Sequence, residues 1–232
     1  MKLREQAYVS FQHRLMSLDL RPGQFVSQRE LVALTGMPLG AIRELIPRLE
    51  ADGLIVTVPQ RGMQIAAVDL KLVRNAFQLR IILEKEAIAT FTQKAREEEV
   101  ARLADAHAAI LAKSAAGITQ ALLEEAQSVD WAFHDTLIDA LGNDIISAIY
   151  RVNSIKIRLI RLDRVLLSPE SLMPALQEHG EVIAAIRSRD AAQAVATLER
   201  HLISARNRAM GVHPVEAPVL TKSHQRSMKA AR

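Results

Sequence analysis

Between Asp69 and Met210 the hydrophobic residues recur at helical spacing, and no stretch shows the strict alternation of a strand. Helices are predicted over residues 69–93, 96–114, 119–141, 144–164, 171–188 and 190–210. Breaks fall at Gly117, Gly142-Asn143 and Ser168-Pro169. Asn143 and Asp190 carry short polar side chains that accept from first-turn N–H groups, which makes them N-caps. Helices of this kind bury their apolar stripes only against one another, so residues 69–210 are predicted to form an all-α bundle of about six helices.

The first 67 residues follow another pattern. A helix over residues 4–18 ends before the turn at Pro22-Gly23. In "SQRELVALTG", Ser27 reads as an N-cap, Glu30 completes a capping box and Gly36 stops the helix. A third helix starts near Pro38 and ends at Gly53, with Pro47 inside it expected to kink it. "LIVTV", the turn "PQRG" and "MQIAAV" then read as a β-hairpin. Three helices and a hairpin in that order make a winged helix-turn-helix. The predicted fold is therefore mainly α: a winged helix-turn-helix at 1–67, a helical domain at 69–210, and a basic tail at 211–232. The tail lacks a pattern and contains two prolines, so it is expected to be disordered.

Charge follows the same division. The formal net charge of +4 splits into +2 over residues 1–66, −1 over 67–210 and +3 over 211–232. Basic ends around a neutral middle suit a nucleic-acid module joined to a sensing or oligomerising one. No apolar run has the length of a membrane helix, no signal-peptide core opens the chain, and no glycine-rich phosphate loop is present. With zero cysteines there are no disulfides and no thiolate metal sites. A cytoplasmic location and no membrane partner are expected.

A helix-turn-helix reads DNA by laying one helix in the major groove while its partner and the wing grip the backbone. The first turns of the third helix, Leu39, Gly40 and Arg43, would face base edges. Arg29 would reach phosphate or guanine, and Arg61-Gly62 at the wing tip would enter a minor groove.

In the bundle, "VDWAFHDTLID" places Asp130 and His134 about 40° apart on one helix, among Leu123, Phe133, Leu137 and Leu141. His179 lies among Leu172, Ala175, Val182, Ile183 and Ile186, and His201 at the edge of a stripe formed by Leu198, Leu202 and Ala205. A carboxylate in such a place needs partners. Taken singly, each histidine reads as a hydrogen-bonded core residue and the Asp–His pair as a buried ion pair. Taken together, one carboxylate and three imidazoles suit a first-row transition metal. His13, His107, His213 and His224 show no comparable setting and are given no role. Arg80 and Glu84 also fall on an apolar face, either as a buried pair or with Arg80 forking onto an effector carboxylate. Asn153, Lys156 and Arg158 are further polar candidates for that effector.

Two resemblances add to this reading. "RPGQ", "RELVALTG", "IREL", "RLEADGLI" and "PQRG", in this order and spacing, resemble the DNA-binding domain of the GntR family of bacterial transcription regulators. Where that family usually has a Ser-Arg-Thr-Pro-like stretch, this chain has "PLGA", and Leu39 takes the place of a base-reading arginine. The operator is therefore expected to differ from that of typical members. "DWAFH", "QEHGEVIAAIRSRDAAQAV" and "ERHL" resemble the FCD ligand-binding domain of the FadR-type branch. That resemblance implies that Asp130, His134, His179 and His201 hold a divalent metal, zinc first, with nickel, manganese or iron as alternatives. It also implies that a small carboxylate effector completes the shell.

The expected function is that of a homodimeric repressor of a catabolic operon. It would bind a near-palindromic DNA operator and be released by a small organic, sugar or aromatic acid, with the helix at 69–93 as the lever. A regulator with a purely structural metal and a metal-dependent hydrolase are the alternatives.

Overall fold

A computed structural model of the chain describes residues 2–164 and 169–212. The element order is α1 Leu3–Met16, β1 Phe25–Val26, α2 Gln28–Thr35, α3 Leu39–Ala51, β2 Ile55–Val58 and β3 Gly62–Ile65. Then come α4 Leu70–Lys94, α5 Glu97–Ser114, α6 Gln120–Asp139, α7 Asp144–Arg164, α8 Pro169–Arg187 and α9 Ala191–Ala209. The expected disorder of 211–232 falls from residue 213 onward outside the described residues, as does Ser168 of the expected break.

The local signals act as read. Ser27 and Glu30 close a reciprocal capping box, and Gly36 ends α2 at φ 69°. The Asp190 carboxylate accepts from the Gln193 N–H, and Asn143 Oδ1 accepts from Ile145 and Ile146. Helix α3 runs through Pro47 as one element. Pro47 is exposed, so the Arg43 carbonyl that it deprives of a donor lies on the watered side.

The wing contains the expected hairpin, β2 against β3, and adds a third strand to it. Its sheet has three antiparallel strands in the order β1-β3-β2, with Phe25 opposite Gln64 and Val56 also opposite Gln64. A two-residue strand is too short to show a period, which is why β1 was illegible. The turn bonds the Arg61 N–H to the Val58 carbonyl, with Gln60 at φ 61°. Gly62 has φ 88°, and a Cβ there would lie 3.0 Å from the Val26 carbonyl oxygen. The closeness of β1 to β3 therefore already demands glycine.

The core of the N-terminal module gathers Phe11, Leu15, Leu31, Ile42, Leu45, Leu49 and Ile65. It also takes in Ile155 and Leu159 of α7, from the far half of the chain. The two halves are thus joined by shared apolar packing as well as by the link before α4. Within the bundle, α4 packs most extensively on α9, and α8 on α9, leaving a polar chamber between α4, α6, α7, α8 and α9.

Candidate functional site

Asp130 and His134 come from α6, one turn apart, His179 from α8 and His201 from α9. All four are buried, and one ligand-type atom from each lies within 4.8 Å of the others. Each imidazole is anchored on its outer nitrogen. His134 Nδ1 lies 2.7 Å from Glu84 Oε2, His201 Nδ1 2.7 Å from Glu178 Oε2, and His179 Nδ1 3.0 Å from His107 Nε2.

These partners fix the tautomers by elimination. A carboxylate only accepts, so His134 and His201 carry their protons on Nδ1. The Leu103 carbonyl, 2.7 Å from His107 Nδ1, also only accepts. His107 therefore presents a lone pair at Nε2, and His179 donates to it from Nδ1. All three Nε2 lone pairs are then left facing inward. His179 Nε2 and His201 Nε2 stand 3.1 Å apart with no proton to share, and His134 Nε2 is buried with no hydrogen-bond partner among the described residues. Asp130 Oδ1 lies 3.7 Å from His179 Nε2, while its Oδ2 accepts from Arg161. Converging lone pairs that share no proton are what a cation requires, and imidazoles backed by carboxylates are the usual way of aiming them. The donor set, three nitrogens and one carboxylate, fits a divalent transition metal.

The electrostatics favour a metal over a proton. Burial and the Arg80 charge push the His134 imidazole down to about 4. Burial and His201 push His179 well below its ordinary value. Burial alone would raise the Glu84 carboxyl, but Arg80, His134 and Tyr150 outweigh it and hold it at about 2. Asp130 is likewise held down by Arg161 and the histidines despite its burial.

These shifts give a signed pH dependence for the metal-free protein. Below 6.5 the unfolded chain protonates His134 while the folded protein resists, so stability falls as pH drops from about 6.5 to about 4. His134 alone contributes on the order of 3 kcal/mol of loss across that window. Thermal melts of chelator-treated protein between pH 7 and 4 are expected to show the decline, and a flat profile would contradict the assignment.

The remaining predicted residues divide. Arg80 Nε donates to Glu84 Oε1 at 2.6 Å, the buried pair. Arg80 also lines a cavity of about 20 Å³ with Asp130, Arg161, His201 and Arg208. Arg158 borders a second small cavity with Arg80, His134 and Tyr150, while its guanidinium lies 4.2 Å over the Trp131 ring. Asn153 donates to the Ala76 carbonyl at 2.9 Å and, with Lys156, lines a groove outside the chamber. Sequence reading passed over His107, which is buried behind His179, and a signal for it existed. Val100, Leu103, His107 and Ile110 share one helical face. It also missed Glu178, Tyr150, Arg161 and Arg208, whose roles depend on contacts between helices. His13 is exposed, and His213 and His224 lie outside the described residues.

In the N-terminal module, Arg29, Leu39, Gly40, Arg43 and Arg61 are all exposed, and Gly62 is half-buried in the wing. Helix α3 buries Ala41, Ile42, Leu45 and Leu49, so the opposite face, with Leu39, Gly40 and Arg43, is presented outward. The Arg43 guanidinium is steadied by Gln28 at 3.4 Å, and Arg61 stacks over the Phe25 ring at 4.2 Å.

Among known proteins, the HTH-type transcriptional repressor GlaR of Escherichia coli is 25% identical over 191 residues, 80% of this chain and 86% of its own. The Nta operon transcriptional regulator of Aminobacter aminovorans is 27% identical over 146 residues, 63% and 67% of the two chains. E. coli McbR/YncC superposes with a TM-score of 0.73 over 91% of this chain and 98% of its own, at 17% identity, a likeness of fold. GlaR and the Nta operon protein are both named as transcription regulators. No helix among the described residues is long and apolar enough to cross a membrane. Residues 3–65 match the bacterial regulatory proteins of the gntR family and residues 75–204 the FCD domain. The chain therefore belongs to the GntR family of transcription regulators, in the branch that carries a C-terminal FCD domain.

Proposed function

We propose that the protein is a metal-containing, effector-responsive repressor that binds a near-palindromic operator as a homodimer. The observation that carries this reading is the convergence of three unshared Nε2 lone pairs on Asp130 in a buried chamber. Asp130, His134, His179 and His201 would hold a divalent ion, zinc first among the candidates. When bound, the ion supplies a Lewis-acidic position for an acid group. Arg80 would receive the other end of a small carboxylate effector, with Arg158 nearby and Glu84 aligning His134. Asn153 would join the effector set by giving up its bond to the Ala76 carbonyl.

Helix α7 supports a link between sensing and DNA binding. Tyr150 donates to Glu84 and Arg161 to Asp130, while Ile155 and Leu159 sit in the core of the DNA-binding module. A change in the ligand sphere thus reaches the reader through α7, alongside the α4 connection expected from sequence. A ~100-fold loss of operator affinity requires ~2.7 kcal/mol of differential binding between the two arrangements.

A second reading, a purely structural metal, is favoured by the size of the cavity beside the ligands. About 20 Å³ is room for roughly one water. Operator binding by the metal-loaded protein, followed by fluorescence anisotropy while small organic acids are added, separates the two. Release by an acid supports the sensor, whereas indifference to a broad acid panel supports the structural role.

Arg29, Leu39, Gly40, Arg43, Arg61 and Gly62 form the proposed DNA-facing set. Arg61→Ala is expected to weaken binding to all sequences alike and to reduce the slope of log affinity against log salt by about 1. Arg43→Ala is expected to cost about 1–3 kcal/mol and to relax preference at one operator position. Unchanged affinity and salt slope in both variants would remove this face from the interface.

A further inference from the structure

The tip of α3 carries no hydrogen-bonding side chain. The helix is entered through Pro38, which makes no side-chain cap, and it begins with Leu39 and Gly40. Ala41 and Ile42 turn inward, so Arg43 is the first polar side chain along it. Leu39 is 39% exposed. Its neighbours Met37, Ala41 and Ile42 pack in or against the core of the module, whereas Leu39 packs in none of the buried apolar clusters. It shares the outward face with Arg43, one turn further on and about 40° round. A Cβ at Gly40 would have no atom within 4 Å. Packing therefore does not demand glycine there, and glycine costs a helix stability. The bare backbone leaves the flank beside Leu39 open to whatever approaches from outside.

We infer that Leu39 reads thymine, by packing on its C5-methyl group in the major groove. The inference rests on the DNA-facing reading above and adds what one residue recognises. The base edges of the major groove present hydrogen-bond donors and acceptors, and the thymine methyl is the apolar group among them. A leucine laid against a donor or acceptor strips it of water and gives no bond in return. Laid against the methyl, it buries apolar surface on both partners. Arg43, held near Gln28, supplies the polar half, since a guanidinium matches O6 and N7 of guanine. Four residues of helix span about 6 Å and one base step about 3.4 Å, which places that guanine within about two base pairs of the thymine. In a two-fold complex each half-site carries this pair once.

The test takes the duplex that the full-length, metal-loaded protein selects from a random-sequence pool. Its thymines are replaced one at a time by deoxyuridine, which removes the methyl group and leaves every hydrogen-bonding group in place. In each half-site, one such replacement is expected to weaken binding by about 4-fold, the worth of one buried methyl group. With Leu39→Ala, thymine and deoxyuridine are expected to bind alike at that position. Leu39→Arg is expected to select guanine there instead. If Leu39→Arg proves poorly folded, Leu39→Ala decides, since it takes no atom from the buried clusters. A scan in which no thymine responds, or a response that persists unchanged in Leu39→Ala, overturns the inference, while the DNA-facing reading stands on Arg43→Ala and Arg61→Ala. Failure of the protein to select any duplex overturns both.

Discussion

Alanine in place of His179 is expected to lower metal affinity by roughly 100-fold. Four-ligand structural sites bind with apparent energies of about 10–16 kcal/mol, so one ligand's share is roughly 3 kcal/mol. His179 is central by geometry: its Nε2 is 3.1 Å from His201 and 3.7 Å from Asp130, and its Nδ1 is tied to His107. The loss should appear in the melting curve too. At a free-metal level of 1,000 times the wild-type dissociation constant, the metal stabilises the wild type by about 4 kcal/mol and the variant by only about 1.4 kcal/mol. Chelator competition with elemental analysis is the direct measurement. The metal assignment fails if properly loaded wild-type protein carries no stoichiometric ion, or if the variant holds it as tightly.

Glu84→Gln is expected to destabilise the fold by about 3–5 kcal/mol, the second large effect. The Glu84 carboxylate is fully buried and accepts from Arg80 and Tyr150 on one oxygen and from His134 on the other. An amide of the same shape offers one acceptor oxygen and a donor. It cannot satisfy both His134 Nδ1–H and Arg80 Nε–H, and it deprives the buried Arg80 charge of its ion-pair partner. The same substitution frees the His134 ring, so metal affinity should drop a further 10–100-fold. Glu98→Gln, on the exposed first turn of α5, is the control, expected to stay within about 0.5 kcal/mol. Denaturant melts of the metal-free proteins isolate the first effect. Equal stability of Glu84→Gln and wild type would mean that Arg80 finds another partner.

Much of this was legible because the informative signals are local. Capping boxes, glycine stops and helical periods depend on residues a turn or two apart, so Ser27-Glu30, Gly36, Asp190 and each bundle helix could be placed from sequence. The four ligands were legible for a different reason, since a polar residue on an apolar stripe needs explaining. What stayed hidden was set by contacts between distant segments. β1 exists because β3 passes beside Phe25-Val26. Glu178 backs His201 across the α8–α9 contact, and Arg161 reaches Asp130 from α7. His107 was passed over although it obeyed the same stripe rule as His179.

The two residues that α7 lends to the first module have a consequence for dissection and for descent. A fragment cut after residue 67 would lose Ile155 and Leu159 and expose the seam they fill. It should therefore be a poor, sticky stand-in for the intact reader. By the same reasoning, a reader borrowed from another regulator would have to arrive with a seam shaped for this α7. Halves that look interchangeable along the chain are keyed to each other like a lock and its own bolt.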